Sequence, residues 1–454
     1  MNFARIGKFL FASLLPCCFF CLSDLASAQL YNVDCSGNTP GAYTTINSVL
    51  PLLTNGSQVM IVGTCTENVS LNNLNNVYMG APWGQTMNLQ GNLFINGSLN
   101  LILYGMNVTN ASGDGIDVQN SLGISLEACT STNNAGVGLN VWNGSAVSVA
   151  DSGSYSNNAN DGIYAQENSI VEVNAWSSPI LVSNNMDAGV HVDRSVFEAE
   201  GISITQNKIA AGAYPFGGDA GNATGNGIRE LGASRVLLGG WGTFPNTIAG
   251  NQGDGISLQE NSEISLSGPS ALPANIVQGN GPVGISVGYG SQLTLYDNVQ
   301  LTNHADAGVD VYGNSQAFIY GTNQITNNGT DPSYAARAGV RVDGNSEAYL
   351  RGGQISHNGG PGILALVNSS LDFTGVTFTG NSGGPVACDS SSWMGSDLAG
   401  GNPNAGGYPG ALMTCRTPNN LGNRTHAAPV FDPPDLNRLK ALEAQYQQLM
   451  TTPH

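Results

Sequence analysis

Apolar and polar residues repeat in a three-part phrase along most of the chain. The phrase opens Gly-apolar-x-apolar, as in Gly189-Val190-His191-Val192, and a Ser follows six or seven residues after the Gly. It occurs ten times from Gly115 to Gly362, with one lapse at its fourth position, Glu230. After the Ser comes strict alternation, as in Ser145-Ala146-Val147-Ser148-Val149, and then a segment ending apolar-x-x-Asn, as in Val182/Asn185, Ile204/Asn207 and Ile355/Asn358. Alternation at period two marks a strand with one inward and one outward face. Each unit therefore predicts three short strands.

Successive glycines lie 23 to 38 residues apart. The short spacing leaves no room for a crossover helix, so each strand must lie beside its counterpart one unit later, about 4.8 Å away. Parallel crossovers are right-handed almost without exception. The expectation is an all-β, right-handed parallel β-helix solenoid of about 12 rungs, with aliphatics stacked inside and the recurring Asn stacked at a corner as a ladder of amides. His304 stands where that ladder expects an Asn, as a structural substitution. These phrases resemble the right-handed parallel β-helix repeat family, whose best-known members are the pectin-lyase-like enzymes. The resemblance covers roughly residues 68 to 385 and bears on fold far more than on chemistry.

A stack needs closed ends, because terminal rungs expose unpaired edges. Residues 29–67 read as an N-terminal cap in which Asn32 to Cys35 and Gln58 to Cys65 form strands around a helix from Tyr43 to Leu53. The cysteine positions suggest two local bridges, Cys35 to Cys65 and Cys388 to Cys415, with Cys129 left as a buried thiol. Residues 386–430 would then be a disulfide-closed loop region. Residues 431–454 form a helical tail: Asp435 can cap a helix to Met450 with Leu436, Leu439, Leu442, Tyr446 and Leu449 on one stripe. That helix reads as a lid or loose tail, or else as a partner-binding element.

Residues 1–28 have the form of an export signal. Arg5 and Lys8 precede an apolar stretch from Phe9 to Leu22, and Ala26-Ser27-Ala28 supplies small residues for cleavage. No later apolar run is long enough to span a membrane. The expected location is secreted, periplasmic or extracellular, where disulfides persist. Charge narrows the partners. The chain carries −18 with only 10% charged residues, and Lys208 and Lys440 are the only lysines beyond the signal. Nucleic acid and anionic lipid both need basic patches, so neither is an expected partner.

Outward positions of one strand column line up as a surface row. Two residues after each Gly, the row reads Asp117, Asn140, Tyr164, His191, Arg229, Ser257, Ser286, Asp310, Arg341 and Leu364, with Asp193 and Arg194 in the turn after His191. An aromatic ring beside carboxylate, imidazole and guanidinium groups suits a sugar, and such groups also serve general acid/base chemistry. Neighbouring polar residues on any outward face also simply pair. The longest insertion, Ala210 to Asn226 with Tyr214 and Phe216, feeds the Arg229 strand. Glu230 breaks the inward pattern, so either a bulge turns it outward beside the row or a buried partner holds it. Glu172 and Glu198, on adjacent second strands, form either a cation pair or a solvated acidic face.

The proposed substrate-binding residues are thus Tyr164, His191, Asp193, Arg229 and Glu230. Polygalacturonase-like enzymes carry Asn-Thr-Asp, Asp-Asp, Gly-His-Gly and Arg-Ile-Lys motifs, and none is present. No lyase-type calcium site, His/Cys metal spacing or cofactor motif is found either, so no metal or cofactor is implied. The functional expectation is a secreted protein that binds extracellular polysaccharide. In catalytic form it would be a polysaccharide lyase or glycoside hydrolase. The alternative is a non-catalytic structural or adhesive cell-surface protein.

Overall fold

The computed structural model describes residues 29–209, 225–239, 244–268 and 274–395. Over these residues the chain winds as a parallel β-solenoid with three long sheets. The Gly phrases build a 13-stranded sheet, hereafter sheet 1; the alternating segments build a 15-stranded sheet 2; the Asn-ended segments build a 13-stranded sheet 3. In the Gly189 unit these are Val190–Asp193, Val196–Glu200 and Ile202–Thr205. That single rung sends Val190, Val192, Phe197, Ala199, Ile202 and Ile204 inward, all buried. Each of these Val, Ile and Phe side chains contributes about 1.5–3 kcal/mol on leaving water.

The repeat residues are the ones that join rung to rung. Asn158 Nδ2 donates to Asn185 Oδ1 at 3.1 Å, Asn185 to Asn207 at 3.0 Å and Asn207 to Asn251 at 2.8 Å. Each amide also donates back to a main-chain carbonyl of the previous unit, as Asn185 does to Tyr155. The recurring Ser forms a second ladder at the corner between sheets 1 and 2. There the backbone N–H of Ser121, Ser145 and Ser169 donates to the hydroxyl of the next unit's Ser, at 3.1–3.2 Å. Gly is required because the backbone runs against the amide ladder: a Cβ on Gly308 would lie 2.7 Å from the Gly339 carbonyl and 2.8 Å from Asn328 Nδ2. His304 does replace an Asn. Its Nε2 lies 3.1 Å from the Val277 carbonyl, the place of an amide Nδ2, and burial pushes the ring down to about 4, so it is neutral.

Two expectations need correction. The solenoid has about 14 turns, not 12. Rungs at both ends lack the Gly phrase, and strands such as Val69–Asn72 and Leu93–Asn96 join sheet 1 without it. The strands Leu30–Asp34 and Gln58–Val62, expected around the cap, are the first two members of sheet 2. The helix expected over Tyr43 to Leu53 does not form. Only a 3-10 turn at Leu50–Leu52 is present. Pro51 and the β-branched Thr44, Thr45, Ile46 and Val49 oppose an α-helix. In addition, the Glu67 carboxylate accepts the Ile46 and Asn47 N–H groups at 2.7 and 3.1 Å and fixes the segment from outside.

Cys35 and Cys65 are bonded, and Cys129 is a buried free thiol. Cys388 is disulfide-bonded, while Cys415 lies outside the described residues. The export signal, the insertion carrying Tyr214 and Phe216, and the helix from Asp435 to Met450 lie outside them as well. Among the described residues no helix is long and apolar enough to cross a membrane.

The ladder and the Gly phrase are one device, which a double-mutant cycle checks. Gly308→Ala and Asn328→Ala should each destabilise the protein by about 1–3 kcal/mol, through overpacking and through unsatisfied buried groups respectively. Their losses should sum to less than additive in thermal or denaturant unfolding, because the second change removes the amide that the new methyl strikes.

Candidate functional site

Sheet 1 carries the outward row in register. Asn140 pairs with Tyr164, Tyr164 with His191, His191 with Arg229, and Arg229 with Ser257. The row is recessed: His191 is 9% exposed and Arg229 6%. In such a place charges are poorly screened and electrostatic contacts strengthen.

The Tyr164 and His191 rings stack with centroids 4.3 Å apart and planes 9° from parallel. His191 Nδ1 lies 3.3 Å from Asp161 Oδ2, while Asp161 Oδ1 accepts the Ala188 N–H at 2.9 Å. A carboxylate only accepts, so Nδ1 carries the hydrogen and Nε2 is left as an acceptor. Nε2 is buried and has no partner among the described residues. Burial, then Asp193 and Asp161, pushes the Tyr164 hydroxyl up to about 12. No hydrogen bond or ion pair reaches the Arg229 guanidinium from any described residue. Asp193, in register with Gln166 and Leu231, turns its carboxylate to Arg194 instead, with Nη2 to Oδ2 at 3.1 Å.

Asp161 was not legible as a site residue. The signal was the recurrent Asp-Gly at the head of the phrase: Asp114-Gly115, Asp161-Gly162 and Asp254-Gly255. In each unit this Asp gives one oxygen to a backbone N–H of the next turn, at Val137, Ala188 and Val283. The other oxygen is then available to the row. Asp114 takes Asn140 Nδ2 at 3.1 Å, as Asp161 takes His191. Trp142 was also missed. Its Nε1 donates to Asp117 at 2.6 Å, and burial lifts that carboxyl to about 6 despite the bond. Gln166 Nε2 donates to Asn140 Oδ1 at 3.0 Å and closes the mesh beside Tyr164.

Further along the row, Ser257 and Ser286 are small, and then Asp310 and Arg341 pair by two bonds of 2.7 and 2.5 Å. Arg341 Nη1 also reaches Asp306 at 2.6 Å. Burial holds the Asp254 carboxyl at about 7. Arg341 is thus fully occupied by carboxylates, in contrast with Arg229.

Glu230 is not turned outward. Its strand keeps regular register, with Glu230 beside Val192 and Leu258, and the side chain is fully buried with both oxygens unpartnered. Among the described residues neither a bulge nor a side-chain partner is present, and the carboxyl is removed from the surface row. Burial raises its pKa well above the ordinary value, so it is held protonated. Glu172 and Glu198 do lie in register, and burial and Glu172 raise Glu198. Among the described residues only Cys35, Cys65 and Glu67 gather enough ligand atoms for a metal, and there the two sulfurs form the disulfide.

Residues 226–398 match the family of right-handed β-helix regions. Similar solved structures include the A-module of mannuronan C-5 epimerase AlgE4 from Azotobacter vinelandii, 13% identical with a TM-score of 0.41, covering 75% of this chain and 91% of that one. Pectate lyase Pel9A is 15% identical with a TM-score of 0.39, covering 79% of each chain. No curated protein matches the chain.

Replacing Glu230 by Leu should stabilise the protein at pH 7 by roughly 1–3 kcal/mol, the usual mutational cost of a buried unpartnered polar group. The sign follows from linkage. A folded value raised above the unfolded one gives full stability below pH 4.5, which is then lost as pH rises and the unfolded chain alone releases the proton. The advantage of Glu230→Leu in melting temperature should therefore grow from pH 4 to pH 7.

Proposed function

We propose that this right-handed parallel β-helix is a secreted protein that binds extracellular polysaccharide along sheet 1. The observation that carries the reading is the Tyr164–His191–Arg229 series on consecutive rungs. Asp161 fixes the imidazole, and its buried Nε2 has no partner among the described residues. Buried polar groups are ordinarily satisfied. A ligand rich in hydroxyl oxygens meets that need: its hydroxyls donate to Nε2 and accept from the neighbouring Arg229. The Tyr164 ring edge, Gln166 and Trp142 extend the same surface for neighbouring sugar units.

Rungs about 4.8 Å apart present these groups as a straight series, which suits a linear polymer laid along the axis. Secretion is supported by the form of residues 1–28 and by the Cys35–Cys65 bond. If the polymer is also cleaved, His191 is the group placed to move the proton, with Asp161 as its positioning residue.

A panel of polysaccharides, read by calorimetric binding and by release of new chain ends, tests this. Arg229→Ala should weaken binding roughly tenfold or more, since hydrogen bonds to charged groups contribute about 1.5–3 kcal/mol and 1.4 kcal/mol is tenfold, and His191→Ala by roughly two- to tenfold, since a neutral hydrogen bond contributes about 0.5–1.5 kcal/mol. Unchanged binding in the double variant removes the site. Silence of the wild type toward every polysaccharide favours the non-catalytic rod.

A further inference from the structure

Sheet 2 has an outward face of its own, and one stretch of it is unlike the rest. Its central column reads Ser125, Ser148, Glu172 and Glu198 in the earlier rungs. Later, aromatic residues replace them. Thr294, Phe318 and Tyr349 lie in register on three successive rungs, and Tyr320 flanks Phe318 two residues on. Tyr349 stacks on Phe318 with centroids 5.2 Å apart and planes 8° from parallel. Phe318 lies 6.2 Å from Tyr320 at 22°, and Tyr320 lies 6.2 Å from Tyr296 at 32°. Four rings thus make one continuous tract over three rungs: Phe318 at its centre is buried, Tyr320 and Tyr349 are half-buried beside it, and the outer member, Tyr296, is 44% exposed.

The groups around the rings decide what the tract fits. On one side, Glu347 Oε2 accepts from Tyr349 Oη at 2.9 Å and from Gln316 Nε2 at 3.3 Å. On the other, Arg351 Nη2 donates to Asp372 at 2.5 Å, and both side chains remain about a third exposed or more. The accessible ring surface of Tyr296 and Tyr320, backed by Phe318 and Tyr349 and bordered by amide, carboxylate and guanidinium, matches the two halves of a hexopyranose, its C–H face and its ring of hydroxyls. A protein partner would want aliphatic anchors between the rings, and the neighbouring outward positions are polar. A polyanion is disfavoured, because Arg351 is already paired and the chain carries −18.

We propose that the Tyr296–Tyr320–Phe318–Tyr349 tract is a second glycan-binding surface, for uncharged hexopyranose polysaccharide, on a face distinct from the His191 row. The tract and the row stand or fall separately.

The test uses the full chain with two soluble uncharged polysaccharides, hydroxyethyl cellulose and xyloglucan, and with polygalacturonate as the charged comparison. Affinity electrophoresis reads retardation for the wild type, Tyr296→Ala/Tyr320→Ala, Tyr320→Phe and His191→Ala/Arg229→Ala. The expected result is retardation by at least one uncharged polymer, weakened roughly tenfold in the double tyrosine variant through loss of two ring faces. Tyr320→Phe keeps the ring and should bind like the wild type, and adding Tyr296→Ala/Tyr320→Ala to the His191/Arg229 variant should lower whatever retardation that variant retains by the same factor. Because Tyr296 is exposed, melting temperatures should stay close, and a variant that melts much lower is replaced by Tyr296→Ala alone with the same expectation. Binding of uncharged polymer that survives loss of the rings overturns the proposal, as does retardation by polygalacturonate only or by none of the three.

Discussion

Axial hydrogen bonding between equivalent residues is the constraint on which this molecule depends. A strand in a solenoid satisfies its backbone through its neighbours above and below, but at the corners the Asn and Ser N–H groups leave that ladder. Here the corners are closed by side chains that copy themselves from rung to rung: amides between sheets 3 and 1, hydroxyls between sheets 1 and 2. An amide that bonds to its own counterpart admits little sideways slip. The glycines then follow, since the backbone must pass within van der Waals range of those amides.

This rigidity is why surface chemistry could be counted off the chain. Once Gly189, Gly227 and their kin are aligned, the row two residues later is aligned with them, and the structure pairs every member as the count required. The Cys35–Cys65 bridge was legible for a related reason, since both cysteines close the first coil. What the sequence did not reveal depends on contacts between different rungs or on an exception to local preference. Asp161 reaches His191 from the preceding turn, 30 residues away. Glu67 holds residues 46 and 47 from a bend after Cys65 and displaces a helix that local spacing suggested. Glu230 reads locally as a residue that ought to face water, but the register of two flanking strands overrides it.

The two decorated faces divide the chemistry by depth. Sheet 1 sets charged and aromatic groups in a recess, where Asp117 and Asp254 retain protons well above the ordinary carboxylate range. Sheet 2 sets rings near the surface, with ion pairs open to solvent. Recessed groups discriminate, because any of them left unmatched is costly. Surface rings tolerate variation, because contact with a flat face asks little of its partner. Both patterns come from the same alternating strands and differ only in which residues occupy the outward positions.

His304 has a consequence for how the molecule is held together. It fills the amide's place toward Val277, yet an imidazole offers no carbonyl oxygen to the Asn280 side chain, and its Nδ1 has no partner among the described residues. In a quasi-one-dimensional stack, stability is a sum of unit terms and nearest-neighbour coupling terms. The Asn280 and His304 coils therefore lack the amide-to-amide bond that joins neighbouring asparagine coils, so the side-chain ladder falls into two parts at this corner while the strands pair across it without a break.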